Sequence, residues 1–115
     1  MKLYGYKKCG TCLKAMKWLD QQCIAYQFID ITQHPPPATT LKLALRSGYK
    51  LSDLFNKSGR QYRELNMKDK LPDMNQAEAV KLLAGNGYLC KRPIGVDGQR
   101  ITVGFKEESF AGVWG

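Results

Sequence analysis

Leu3-Tyr4-Gly5-Tyr6-Lys7-Lys8-Cys9-Gly10-Thr11-Cys12-Leu13-Lys14-Ala15 is the stretch that decides the fold. A short apolar run, Leu3 to Tyr6, leads into a turn that carries two thiols. A helical pattern follows from Leu13 to Leu19. The reading is strand, tight turn, helix, with Cys-x-x-Cys at the joint, and in a β-α context that spacing is a redox motif. The first N–H groups of a helix have no intrahelical partner, and the helix dipole is positive there. Both favour a thiolate, so Cys9 is predicted to lose its proton more easily than a free cysteine. Cys12 lies one turn inside, close enough to form a disulfide with Cys9, and Lys7, Lys8 and Lys14 add positive charge around the pair.

Two plainer readings of the pair stay open on the residues alone. Cys-x-x-Cys can be half of a zinc site. The other candidate ligands are Cys23, Cys90 and His34, which form no second closely spaced pair, so no metal site is expected. Two unreactive buried cysteines are the other alternative, because free Cys packs like a small apolar residue. The strand-turn-helix context favours redox chemistry over both.

Composition bounds the rest. A chain of 115 residues, 43% hydrophobic and 24% charged, suits one globular domain with a real core. No apolar run approaches the ~20 residues of a membrane span, and Met1 to Tyr6 contains no long apolar signal region. The four cysteines therefore read as reduced thiols of a cytoplasmic protein. The net charge of +8, from 18 Lys and Arg against 10 Asp and Glu, favours anionic partners. The basic residues are scattered, which argues against a dedicated nucleic-acid face.

Strand and helix signals alternate along the chain. Lys2 to Tyr6 is predicted as a strand. Thr11 to Gln22 is predicted as a helix, with Cys12, Ala15, Met16, Leu19 and Cys23 on its buried face. A second strand, Ala25 to Ile31, completes a right-handed β-α-β unit with parallel strands. His34-Pro35-Pro36-Pro37 breaks regular structure, and His34 reads as an exposed loop residue. A helix capped by Thr39 or Thr40 runs to Arg46, short helical turns follow at Leu51–Phe55 and Gln61–Leu65, and Asn75 caps a helix that buries Ala77, Val80, Leu83 and Ala84. Strand signals resume at Arg92 to Val96. Asp97-Gly98 marks a hairpin, Arg100 to Val103 returns, and Lys106 to Val113 is a final helix. The organisation is a core of residues 1–34 and 88–115 with a helical insertion over 35–87, all one domain.

The order β-α-β, helices, β-β-α resembles the thioredoxin fold, and four segments narrow the resemblance. Cys9-Gly10-Thr11-Cys12-Leu13-Lys14-Ala15, Asn56-Lys57-Ser58-Gly59 with Tyr62 and Leu65, Lys91-Arg92-Pro93-Ile94, and Val103-Gly104-Phe105 together resemble the ArsC/Spx family. The resemblance implies an α/β, thioredoxin-like (glutaredoxin-type) fold: a mixed four-stranded sheet with a helical insertion. It covers essentially the whole chain.

The family has two branches of activity. In arsenate reductases coupled to glutathione and glutaredoxin, the cysteine matching Cys9 attacks arsenate and three arginines hold the oxyanion. Arg92 matches one of them; the other two positions fall at Asn56 and near Val103-Gly104, where this chain has no arginine. Spx regulators use Cys-x-x-Cys as a disulfide switch and bind the C-terminal domain of the RNA polymerase α subunit. Their glycine in the middle helical region aligns near Lys50, close to Gly48. The resemblance thus implies a thiol-dependent oxidoreductase, an arsenate reductase-like enzyme. Cys9 is its nucleophile, and Cys12 or an external thiol resolves the adduct. Gly10, Thr11, Arg92 and Pro93 bind substrate, with Pro93 matching the cis proline of thioredoxin-like folds. The substrate is a small oxyanion or thiol, the electron donor is glutathione with glutaredoxin or thioredoxin, and no cofactor is bound. A monomer with no membrane or direct nucleic-acid partner is expected. The alternative is a Spx-like redox-sensing regulator that binds RNA polymerase.

Overall fold

A computed structural model describes all residues, Met1–Gly115. The elements run β1 (Lys2–Gly5), α1 (Gly10–Gln21), β2 (Gln27–Asp30), α2 (Ala38–Arg46), α3 (Arg60–Glu64), α4 (Met67–Lys70), α5 (Gln76–Gly85), β3 (Ile94–Asp97), β4 (Arg100–Val103) and α6 (Glu107–Trp114). Single 3-10 turns occupy Leu51–Leu54, Leu71–Asp73 and Gly87–Leu89. The four strands form one mixed sheet in the order β2-β1-β3-β4. β2 lies parallel to β1, while β3 is antiparallel to both β1 and β4. This is the thioredoxin-like α/β sheet that the sequence predicts.

Strand alternation divides the interior into two cores. Leu3 points to one face and packs with Ala15, Trp18 and Leu19 of α1 and Phe110 and Trp114 of α6. Tyr4, Ile94 and Ile101 point to the other, under Leu41 and Ala44 of α2, Val80 and Leu83 of α5, and Leu54, Phe55 and Leu89. The middle helices α2 and α5 therefore pack on this face of the sheet. Burial of leucine-sized side chains there contributes about 1.5–3 kcal/mol each, so these helices are held by packing more than by their own short lengths.

Several local details differ from the sequence reading. α1 begins one residue earlier, at Gly10, which makes Cys9 its N-cap. Cys23 is not on the buried stripe. It is exposed, with φ +57°, and follows the end of α1. Its N–H donates to the Asp20 carbonyl at 3.1 Å and that of Ile24 to the Leu19 carbonyl at 3.0 Å. This is a Schellman ending, in which the left-handed residue turns its side chain off the helix. Pro37, not a threonine, caps α2. Asn75 does cap α5, accepting the Glu78 N–H at 2.8 Å, but Ala77 faces solvent and Ala79 takes the buried place. The short helix α4 has no counterpart in the sequence reading. In the β3–β4 hairpin Asp97 pairs with Arg100, so the two-residue turn is Gly98-Gln99. Gly98 has φ +60° at the first turn position, which few other residues tolerate.

Candidate active site

The site forms where the start of α1 meets the segment entering β3. Cys9 caps α1 in an extended conformation, with φ −95° and ψ 120°, and its carbonyl accepts the Leu13 N–H at 3.1 Å. No side chain caps the helix. The N–H groups of Thr11 and Cys12 are thus left facing the Cys9 sulfur. Gly10 and Thr11 are exposed, and a Cβ at Gly10 would meet nothing within 4 Å. The turn is open to a small reactant from that side.

The two thiols differ in environment. Partial burial pushes the Cys9 thiol up. Hydrogen bonds from the Cys12 N–H, the Cys12 thiol, the Arg92 guanidinium and the Thr11 N–H together outweigh it, and hold Cys9 below the ordinary thiol range. Cys12 is fully buried. Burial, helped by the negative charge that Cys9 carries, pushes it up to about 12, although its sulfur accepts the Tyr6 N–H at 3.4 Å. One sulfur is set up to be a thiolate and its neighbour to hold a proton. Such a pair can attack an electrophile and then exchange the new bond for a disulfide. All four cysteines are free thiols.

Arg92 arrives from the other end of the chain, and the middle helices fix its approach. Phe55 and Cys90 form an isolated antiparallel bridge. Across it the Asn56 N–H donates to the Leu89 carbonyl at 2.7 Å, and the Lys91 N–H to that of Leu54 at 2.7 Å. Beyond Arg92, the Pro93 carbonyl accepts the Gly104 N–H at 2.8 Å. The Arg92-Pro93 peptide bond is cis and Pro93 is buried. Arg92 is thereby tied on both sides. Its Nη1 is buried and has no hydrogen-bond partner. The guanidinium therefore reaches Cys9 but keeps one buried donor nitrogen unpaired, which costs free energy that an incoming acceptor relieves.

A cleft of about 360 Å³ opens beside Arg92, lined by Tyr6, Asn56, Arg60, Glu64 and Tyr88 among others. Asn56, which the family resemblance aligns with an arginine position, is on the cleft wall. The sequence reading did not single out Tyr6, Arg60 or Tyr88. An aromatic residue at a strand end carries the same signal as any core residue. Cys90 is near enough to Arg92 to feel its charge, but burial dominates and pushes it up to about 12. Its thiol donates to the Leu83 carbonyl at 3.4 Å, so it is held inside the fold. His34 is exposed, and no cluster of three or more His, Cys, Asp or Glu residues could hold a metal ion. No helix is long and apolar enough to cross a membrane.

Comparison with known proteins gives the family and the fold. The model of the ArsC family matches residues 4–113. YusI of Bacillus subtilis, itself uncharacterised, is 48% identical over 112 residues, covering 96% of this chain and 95% of YusI. The global transcriptional regulator Spx of Listeria monocytogenes is 30% identical over 108 residues, 92% of this chain and 80% of that protein. The crystal structure of a possible arsenate reductase from Streptococcus mutans superimposes with a TM-score of 0.87 at 38% identity, over 96% of each chain.

Proposed function

The chain belongs to the ArsC family, and on that premise we propose that it is a thiol-dependent reductase that attacks a small oxyanion, arsenate being the reference substrate, with the Cys9 thiolate. The observation that carries this reading is the pairing of an acid-shifted Cys9 with the buried, unpartnered Nη1 of Arg92. On this reading a nucleophile and an anion-binding donor meet at one helix start.

The Cys9 thiolate attacks As(V) and an S–As bond forms as one As–OH bond breaks; that hydroxyl takes up a proton from solvent and leaves as water. Arg92 and the N–H groups from Gly10 to Cys12 hold the arsenic oxygens as charge develops on them. Cys12, or an external thiol, then attacks the Cys9 sulfur. The S–S bond forms as the S–As bond breaks, and the electron pair stays on arsenic as As(III). A dithiol or two thiols from glutathione with glutaredoxin, or from thioredoxin, reduce the disulfide and close the cycle. The same residues serve a glutathione mixed disulfide, where Cys9 attacks sulfur in place of arsenic.

The test is arsenate reduction coupled to glutathione and glutaredoxin, and separately to thioredoxin. Turnover that disappears in Cys9→Ser supports the reading. No turnover with either donor, on arsenate or on a glutathione mixed disulfide, rejects it. A second reading rests on the similarity to Spx together with the Cys9/Cys12 pair: a redox-sensing regulator that binds RNA polymerase. Capture of polymerase that depends on the oxidation state of Cys9 and Cys12 would favour it over the enzyme.

A further inference from the structure

We infer that Tyr6 is the positioning residue of this site, and that its ring sets the Arg92 guanidinium against Cys9 without neutralising it. The inference deepens the reductase reading and rests on it. The Arg92 guanidinium carbon lies 5.0 Å from the centroid of the Tyr6 ring. No carboxylate pairs with Arg92: the two ion pairs of the chain are Arg60–Glu64 and Arg100–Asp97. Arg100 is the useful contrast. It too lies over an aromatic ring, Trp114 at 5.2 Å, but it also binds Asp97 and the Val113 carbonyl.

The difference matters for a group whose task is to attract an anion. A carboxylate would orient the guanidinium strongly, but it would also cancel most of its field and occupy its donors. An aromatic face attracts the cation through its quadrupole and leaves the N–H edge free. That edge is what Arg92 presents, with Nη1 buried and unpaired. Both residues line the same cleft, and the Arg92 guanidinium also reaches the Cys9 sulfur. The titratable and charged groups around this point are Cys9 and Cys12 at the start of α1, Arg92 and Cys90 on the segment entering β3, and Arg60, Glu64 and Tyr88 on the cleft wall.

Tyr6 also reaches the second thiol, but through its backbone N–H, which donates to the Cys12 sulfur at 3.4 Å. Substituting the side chain therefore separates the two roles. Tyr6→Leu keeps the Cys12 contact and the apolar bulk but removes the ring. Tyr6→Phe keeps the ring.

The experiment follows three readouts on the reduced full chain: the pH profile of Cys9 alkylation, protection of Cys9 by inorganic sulfate, and the ring-current shift of the Arg92 Hε resonance by NMR. In Tyr6→Leu the Cys9 profile is expected to move to higher pH, sulfate protection to weaken about ten-fold, and the shifted resonance to be lost. Tyr6→Phe is expected to restore all three to near the starting values. Tyr6→Ser, checked for folding by thermal melt, guards against an effect peculiar to leucine. An Arg92 resonance without a ring-current shift, or a Cys9 profile unchanged in Tyr6→Leu, overturns the inference. If Cys9 of the unaltered chain reacts no more readily than Cys23, the reductase reading fails instead, and the NMR readout still decides whether Tyr6 holds Arg92.

Discussion

The sulfur of Cys12 accepts the backbone N–H of Tyr6 at 3.4 Å, so the inner thiol of the pair is anchored to the end of β1 while the outer one is left to react. The asymmetry follows from the chain path. Tyr6 follows the last residue of β1, α1 starts at Gly10, and Cys12 is the first buried side chain of α1.

Alkylation should reveal this asymmetry directly. Only the thiolate reacts, and Cys9 lies below the ordinary thiol range while Cys12 and Cys90 are pushed up to about 12. A group with a lowered pKa is already ionised at a pH where a raised one is almost wholly protonated. At pH ~6, well under the free-thiol value of about 8.5, iodoacetamide should label Cys9 first. Cys23 is exposed but has neither a helix start nor an arginine beside it, and should follow. Cys12 and Cys90 should react last, because they are also fully buried. Equal labelling of Cys9 and Cys23, read by mass spectrometry, would remove the basis for Cys9 as nucleophile.

Cys12→Ser should separate attack from resolution. The hydroxyl can accept the Tyr6 N–H in place of sulfur, so the fold should lose no more than about 1 kcal/mol. After mild peroxide the unaltered chain should carry a Cys9–Cys12 disulfide that dithiothreitol removes. The variant should instead accumulate a mixed disulfide on Cys9 when glutathione is added. A Cys9–Cys90 bridge in the unaltered chain would show that the resolving thiol is the wrong one.

The sheet and the thiol turn were legible because both have a period or a spacing. Leu3 to Tyr6, the Cys-x-x-Cys and the Gly-turn hairpin each carry their signal within a few residues. The placing of Arg92 was only half legible. Its neighbour Pro93 marks the turn, but the bridge of Phe55 to Cys90 is a single pair between distant residues and leaves no pattern in either segment. The helix α4 is four residues long, too short for periodicity to register. Cys23 went astray because helical spacing continues through a residue where the backbone has already turned left-handed. Tyr6 carries no local sign that its ring lies under an arginine.

Arg92→Ala and Arg92→Lys should differ in kind. A hydrogen bond to a charged group is worth about 1.5–3 kcal/mol, so Arg92→Ala should weaken sulfate or arsenate binding by about ten-fold or more and raise the Cys9 pKa. Arg92→Lys restores the charge but not the planar fork, and lacks the flat face that lies over Tyr6. It should recover the Cys9 pH profile in part and the anion affinity less. Titration of anion protection against alkylation measures both. A full recovery by lysine would mean that only charge, and not geometry, matters at this position.

Gly87 tests whether the approach of the chain to the site depends on one close backbone contact. It opens the 3-10 turn Gly87–Leu89, directly before the bridge that carries Cys90 and, two residues on, Arg92. A Cβ built there would lie 1.7 Å from the Ile31 carbonyl oxygen and 2.6 Å from its carbon. Both are backbone atoms just beyond β2, so no side-chain rotation can relieve the clash. Gly87→Ala must push the turn away from the sheet, and overpacking of this kind typically costs about 1–3 kcal/mol or more. Gly85 is the matched control. It is the last residue of α5, and a Cβ there meets nothing within 4 Å. Gly85→Ala should be neutral or stabilising by up to about 1 kcal/mol, through helix propensity and a less flexible unfolded chain. Guanidinium melts of the two variants give the stability difference. The alkylation profile of Cys9 then shows whether the displaced turn takes Arg92 with it, which should move the profile to higher pH in Gly87→Ala and leave it in place in Gly85→Ala. Equal melts for the two variants would mean that the turn yields freely and does not fix the site.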